Sequence, residues 1–312
     1  MPPTNKATDL FNVNGLVAVI TGGGSGLGLY AARALDANGA KAVYIVGRRE
    51  ETLQAAAKTA INGTIKPIVG DVTDKDSLTK VADQVRQEQG YINLLFANAG
   101  VSGPKHAALL KDITNGNNNN SKPSVADFQK AMFAPPIDDF TFAGHVNCSA
   151  VFYTAIAFLD LLDAGNKARN LAQDSHIIVT SSIAGFSRQL ASGFAYSSSK
   201  AATTHLVKML STYFSQAGFR IRANVVAPGL YPSEMTQGTT ASLEAFKGVG
   251  GHEGAFAGAH VVGAENAPAE RTGSEEDFAG TVLYMASRAG AFLNGETLVT
   301  DGGRLSQLPA VY

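Results

Sequence analysis

Short apolar runs recur along the chain, each separated from the next by a longer amphipathic stretch. Residues 16–20 (LVAVI) form a continuous run rich in β-branched side chains, the pattern of a strand buried on both faces of a parallel sheet. Similar runs follow at 41–46 (KAVYIV), 65–70, 92–97, 176–180 (HIIVT) and 221–226, and a last strand is expected from Glu296 onward. Between them, apolar residues return at three- and four-residue steps. This predicts helices over 29–40, 49–61, 74–88, 137–162, from 194 onward, and over 274–287. Ser274, followed by acidic residues, marks where the last helix begins. Strands alternating with helices at this spacing imply right-handed crossovers. The expected fold class is α/β: a doubly wound parallel sheet of about seven strands flanked by helices in three layers, one domain over 1–312.

Two stretches break the rhythm. Residues 103–136 contain the polar run 115–121 (NGNNNNS), which cannot pack a core, and end at Pro135 and Pro136. This insertion follows a strand's carboxyl end and so emerges beside any ligand cleft; the expectation is nevertheless an inert decorated loop. Residues 233–272 are rich in Gly and Ala, the composition of a mobile flap. His252 and His260 within it have no carboxylates at metal-binding spacing and are expected at the surface.

Composition narrows the function classes. A formal net charge of −1 gives no reason to expect nucleic acid or an anionic membrane as partner. The single Cys148 excludes an intrachain disulfide and a cysteine-cluster metal site, and it reads as a small buried apolar residue. No apolar run is long enough to span a bilayer, and residues 1–15 lack the apolar core of a signal peptide. A cytoplasmic protein is the expectation.

The candidate chemistry begins where the first strand runs into Thr21-Gly22-Gly23-Gly24-Ser25-Gly26-Leu27-Gly28 and then a helix. Glycines permit the tight turn and a close backbone approach, and the helix N-terminus offers unpaired N–H groups with a partial positive charge. Together these bind the phosphates of a dinucleotide. The second strand ends in Gly47-Arg48-Arg49. An acidic residue there would hold a ribose 2′-hydroxyl, whereas Arg accepts a 2′-phosphate; the acid is missing, so NADP(H) is expected over NAD. Further on, Tyr196 and Lys200 stand one helical turn apart and share a face. A neighbouring ammonium favours phenolate, so the Tyr pKa is expected to fall from about 10; reaching neutrality would take about 4 kcal/mol.

The turn TGGGSGLG, Asp71-Val72-Thr73, Asn98-Ala99-Gly100 and Tyr196-Ser197-Ser198-Ser199-Lys200 together resemble the short-chain dehydrogenase/reductase family, in its single-domain branch, over about residues 16–303. The resemblance implies a Rossmann-like fold and hydride transfer between NADP(H) and a small-molecule ketone/secondary alcohol pair. It implies Tyr196 as general acid/base, Ser182 as holder of the substrate oxygen (with Ser181 competing), Lys200 as tuner, and Asn147 as holder of a water on a proton path. Cofactor contacts are implied at Gly22, Ser25, Gly26, Leu27, Gly28, Arg48, Arg49, Asp71, Val72, Asn98, Gly100, Tyr196, Lys200, Pro228, Gly229, Tyr231 and Ser233. A substrate lid at 233–272 and a homodimer or homotetramer are implied as well. Ala150 stands where the family commonly has Gly, and Ser233 where Thr is frequent. Two other readings stay open: a non-redox dehydratase, epimerase or cyclase on this scaffold, and a regulatory NADP-binding protein without turnover.

Overall fold

The computed structural model describes residues 4–106, 108–110, 122–189, 192–249 and 252–311. After a short helix α1 (Ala7–Leu10), strands and helices alternate: β1 (Val17–Thr21), α2 (Gly26–Ala37), β2 (Ala42–Gly47), α3 (Glu50–Ala57), β3 (Ile65–Val69), α4 (Lys75–Gln89) and β4 (Leu94–Ala97). The second half contains α5 (Val125–Phe133), α6 (Ile137–Gly144), a π-helical turn (His145–Ser149), α7 (Ala150–Ala157), α8 (Leu159–Ala168) and β5 (His176–Thr180). It closes with α9 (Phe194–Gln216), β6 (Arg222–Pro228), α10 (Gln237–Thr240), α11 (Glu275–Ala286) and β7 (Thr297–Thr300).

All seven strands pair in parallel in the order β3-β2-β1-β4-β5-β6-β7. Every residue of β1, β5 and β6 is buried, which is why these strands read as unbroken apolar runs. Side chains alternate between the faces. Val17, Val19, Ile177 and Val179 pack against α4, α7 and α9, while Ala18, Ile20, Phe96 and Ile178 pack against α2, α3 and α11. The result is three layers. Strand order reverses between β1 and β4, and the crevice at such a switch point is where ligands bind.

Three expectations need correcting. The helix expected over 137–162 is interrupted twice. Asn147 lies buried within the π-helical turn, and Thr203 Oγ1 donates to its carbonyl at 2.5 Å. Then the axis bends by 46° at Phe158, where α8 begins. Apolar periodicity runs through both breaks, so the sequence pattern does not register them.

The insertion, expected to be a loop, contains α5. Ser124 and Asp127 form a reciprocal capping box at its start, and Ala131 is fully buried. The polar run 115–121 lies outside the described residues.

The Gly/Ala-rich stretch, expected to be a loose flap, is docked. Arg271 makes two hydrogen bonds to Asp277 of α11 (2.6 and 3.0 Å), and its guanidinium lies 3.8 Å from the Phe256 ring centroid. The Phe256 amide donates to Glu276 at 3.0 Å. A fork that satisfies a carboxylate while covering a ring gives this glycine-rich chain a fixed seat that its composition conceals.

Candidate active site

The carboxyl ends of the strands open into a cleft of about 590 Å³. Its floor is the glycine turn, where Gly22 (φ 65°) and Gly26 (φ 51°) adopt the left-handed conformation. A Cβ on Gly28 would sit 2.3 Å from the Gly22 carbonyl oxygen, so the turn closes only without side chains. Ser25 makes no side-chain cap, which leaves the first amides of α2 open to a ligand. A backbone cradle that a Cβ would fill, with uncapped amides behind it, fits the phosphates of a dinucleotide.

The residues expected to contact cofactor converge here. Gly22, Ser25, Gly26, Leu27, Arg48, Arg49, Asp71, Val72, Asn98, Gly100, Tyr196, Lys200, Pro228, Gly229, Tyr231 and Ser233 all line the cleft. Gly28 does not; it packs behind the turn. Several have their polar atoms committed elsewhere. Asn98 Nδ2 donates to the carbonyls of Thr21 (3.1 Å) and Gly22 (3.3 Å), and its Oδ1 accepts from Thr180 Oγ1 (2.9 Å). It ties β1, β4 and β5 together. The Tyr231 hydroxyl is bonded to Thr300, and burial pushes this phenol up to about 12. Burial also pushes the Asp71 carboxyl up, but hydrogen bonds from Thr73 and the charges of Arg48 and His145 outweigh it and hold it below its usual value.

Ser182, Tyr196 and Lys200 meet on one wall of the cleft. Ser182 follows β5 and caps a single 3₁₀ turn, accepting from the Ala184 amide at 3.1 Å. Ser181 is turned the other way, donating to the Lys200 carbonyl at 2.9 Å beside Thr204. That leaves Ser182 as the serine that acts on the Tyr196 hydroxyl, favouring its ionised form. Lys200 is 3% exposed, and burial pushes its ammonium down to about 8. Its Nζ donates to the Thr180 carbonyl at 2.8 Å and stands 5.7 Å from the Tyr196 ring centroid.

The expected fall in the Tyr196 pKa is not present in this arrangement. Burial raises it, and the neighbouring Ser182 hydroxyl opposes burial only in part. The ammonium that should favour phenolate is directed at a backbone carbonyl.

Asn147, expected to hold a water, has its side chain engaged. Its Oδ1 accepts from the Val101 amide, and its Nδ2 donates to the Val101 carbonyl and Ser199 Oγ, each at 2.9 Å. It braces the loop after β4 against α9. Cys148 is half-buried with its thiol pushed up by burial, and His252 is exposed while His260 is partly buried. Among the described residues no group of His, Cys, Asp and Glu has metal-site geometry.

The two arginines differ. Arg48 acts on Asp71 through its charge, whereas Arg49 is paired with Glu234 at 2.6 Å. Sequence reasoning misses Glu234 and Thr203. Neither belongs to a motif, and their partners lie 185 and 56 residues away.

The short chain dehydrogenase family model matches residues 16–244. The short-chain dehydrogenase/reductase PhomF of Diaporthe leptostromiformis is 42% identical over 311 residues, covering 99% of this chain and 98% of that protein. Among solved structures, a short-chain type dehydrogenase/reductase from Mycobacterium marinum superposes with a TM-score of 0.72 at 27% identity, covering 96% of this chain and 99% of the other. The Pseudomonas aeruginosa RhlG/NADP active-site complex superposes with a TM-score of 0.71 at 24% identity, covering 95% and 98%.

Proposed function

The chain belongs to the short-chain dehydrogenase/reductase family, and from that premise we propose that it is an NADP(H)-dependent oxidoreductase interconverting a small-molecule ketone and its secondary alcohol. The observation that carries the reading is the convergence of Ser182, Tyr196 and Lys200 on the cleft, with Lys200 buried and its Nζ 5.7 Å from the Tyr196 ring centroid. Two acidic-site features favour NADP(H): no carboxylate ends β2, and Arg48 and Arg49 stand in its place. The structurally similar RhlG is an NADP complex.

When bound, the dinucleotide supplies or accepts the hydride. The protein's own groups handle the proton and the charge. Tyr196, raised by burial, holds its proton at neutral pH and can give it to a carbonyl oxygen. The Ser182 hydroxyl donates to the same oxygen and stabilises the charge that develops there. Lys200 keeps donors beyond its Thr180 bond for the ribose side of a bound cofactor. General acid catalysis of this kind contributes about 10²–10⁴ in rate.

The test is loss of NADPH absorbance with a panel of ketones, quinones and aldehydes, repeated with Tyr196→Phe. We expect turnover by the native protein and a fall of about 10³-fold in kcat for the variant, with Kd for NADPH nearly unchanged. Comparable activity in the variant would overturn the assignment of Tyr196, and silence across the panel would overturn the redox reading.

A further inference from the structure

The segment leaving β6 crosses the cleft as a self-bonded strap. Thr236 Oγ1 donates to the Tyr231 carbonyl at 2.6 Å and accepts from the Ser233 amide at 2.9 Å. Two polar contacts fasten the strap to the far side, and Ser233 packs over Gly26 between them. The Tyr30 hydroxyl of α2 donates to the Pro232 carbonyl at 3.1 Å. Ser233 Cβ lies 3.0 Å from where a Cβ on Gly26 would stand. Glu234 Oε2 pairs with Arg49 at 2.6 Å. In the sheet, β2 and β6 are four strand positions apart, about 19 Å. The ion pair therefore joins the two ends of the cleft.

We infer that Glu234 is a built-in competitor for the 2′-phosphate of NADP(H), and so a determinant of cofactor choice. The inference rests on the NADP(H) reading above. The Arg49 guanidinium already has an anionic partner, its Nη2 donating to Glu234 Oε2 at 2.6 Å. A carboxylate and a phosphate are alternative acceptors for the same donors. A 2′-phosphate carries up to about two charges and can take Arg49 from Glu234, whereas the neutral 2′-hydroxyl of NAD(H) cannot. Arg48 contributes its charge without an equivalent ion pair among the described residues. Arg49 and Glu234 are 61% and 55% exposed, so their pair is weak enough for a ligand to break. Glu234 thus subtracts a little affinity from NADP(H) and none from NAD(H).

The test titrates NADPH and NADH calorimetrically into the native protein, Glu234→Gln, Arg49→Gln and the double variant. Glu234→Gln should bind NADPH about two- to fivefold more tightly, with NADH unchanged, and this gain should vanish in the Arg49→Gln background. A gain that is absent, equal for NADH, or retained without Arg49 overturns the competitor role. If the native protein prefers NADPH while Glu234→Gln changes nothing, only this inference falls. If the native protein binds NADPH and NADH equally, the NADP(H) reading falls and takes the inference with it.

Discussion

Two buried cations stand at opposite ends of the sheet, and burial lowers both. Lys200, at the carboxyl edge, is 3% exposed and pushed down to about 8; Arg222, at the amino edge, is 6% exposed and pushed down to about 10. Neither has a carboxylate at ion-pair distance among the described residues. They differ in how their donors are used. Arg222 makes four hydrogen bonds to the backbone carbonyls of Asp174, Gly290 and Leu293, at 2.9–3.3 Å. Lys200 makes one, to Thr180. A buried charge with four of its five N–H donors answered by backbone holds a fold together. One that leaves donors unanswered stands ready for a ligand. The strand β5 touches both systems, with Thr180 at one end and His176, paired in register with Arg222, at the other.

Removing each cation should break the symmetry most strongly. Lys200→Met should lower kcat by about 10²–10⁴-fold while stability at pH 7 stays level or rises, because a poorly answered buried charge disappears. Arg222→Met should do the reverse. It leaves the Asp174 carbonyl without its partner, at about 1–3 kcal/mol, while Gly290 and Leu293 keep the Leu293 amide and Asn224 Nδ2 as donors, so melting should fall by about 2–10 °C with catalysis in the cold preserved. Melting curves and NADPH turnover measured on both variants decide the matter. Equal losses of activity, or equal losses of stability, would show that donor usage does not separate the roles.

The two ends were unequally legible from sequence. At the carboxyl edge, Thr21–Gly28 and Tyr196–Lys200 signal their chemistry because tight turns and one-turn helical spacing are local. Ser182 is pointed to only by the family resemblance, since no local spacing separates it from Ser181. The amino-edge network was invisible. His176 and Arg222 begin strands 46 residues apart in sequence, and their other partners are scattered over Asp174, Asn224, Met285, Gly290 and Leu293. The strands themselves were legible because burial on both faces leaves an unbroken apolar run. The interruptions at Asn147 and Phe158 were not, since apolar residues continue across both breaks. Arg271 looks like a surface arginine in sequence; only Asp277 and Phe256 arriving together make it the anchor of the glycine-rich segment.

A pH profile sharpens the catalytic side. Lys200 loses its charge near pH 8 in the free protein, while Tyr196 is raised above its ordinary value and keeps its proton further up the scale. The profile of kcat/KM reports free-enzyme ionisations. For reduction it should therefore decline above about pH 8 by up to tenfold per unit. Lys200→Arg, whose side chain stays charged, should move that decline to higher pH even if its absolute rate is low. A decline that stays near pH 8 in the variant would assign it to another group.

The smallest effect belongs to the amino edge and runs in the acid direction. His176 is fully buried, and burial, followed by the Arg222 charge, holds its pKa well below the ordinary value. Its Nδ1 faces the Met285 carbonyl at 3.2 Å and its Nε2 faces Asn224 Nδ2 at 2.7 Å. These partners assign the neutral tautomer with hydrogen on Nδ1, since Nε2 must accept from an amide. Asn224 has no freedom to turn, because its Nδ2 also donates to the Leu293 carbonyl and its Oδ1 accepts from the Glu296 amide. Below about pH 6.5 the unfolded chain takes up a proton that folded His176 refuses, so stability is full above that pH and falls as pH drops. The slope from this one group is at most about 1.4 kcal/mol per pH unit. Denaturant unfolding from pH 7.5 to 5 should show it in the native protein, and His176→Gln should unfold more easily at pH 7.5 but with a flatter acid slope. An unchanged slope would mean that His176 takes up its proton inside the fold, and the amino edge would then be less rigid than its hydrogen bonds imply.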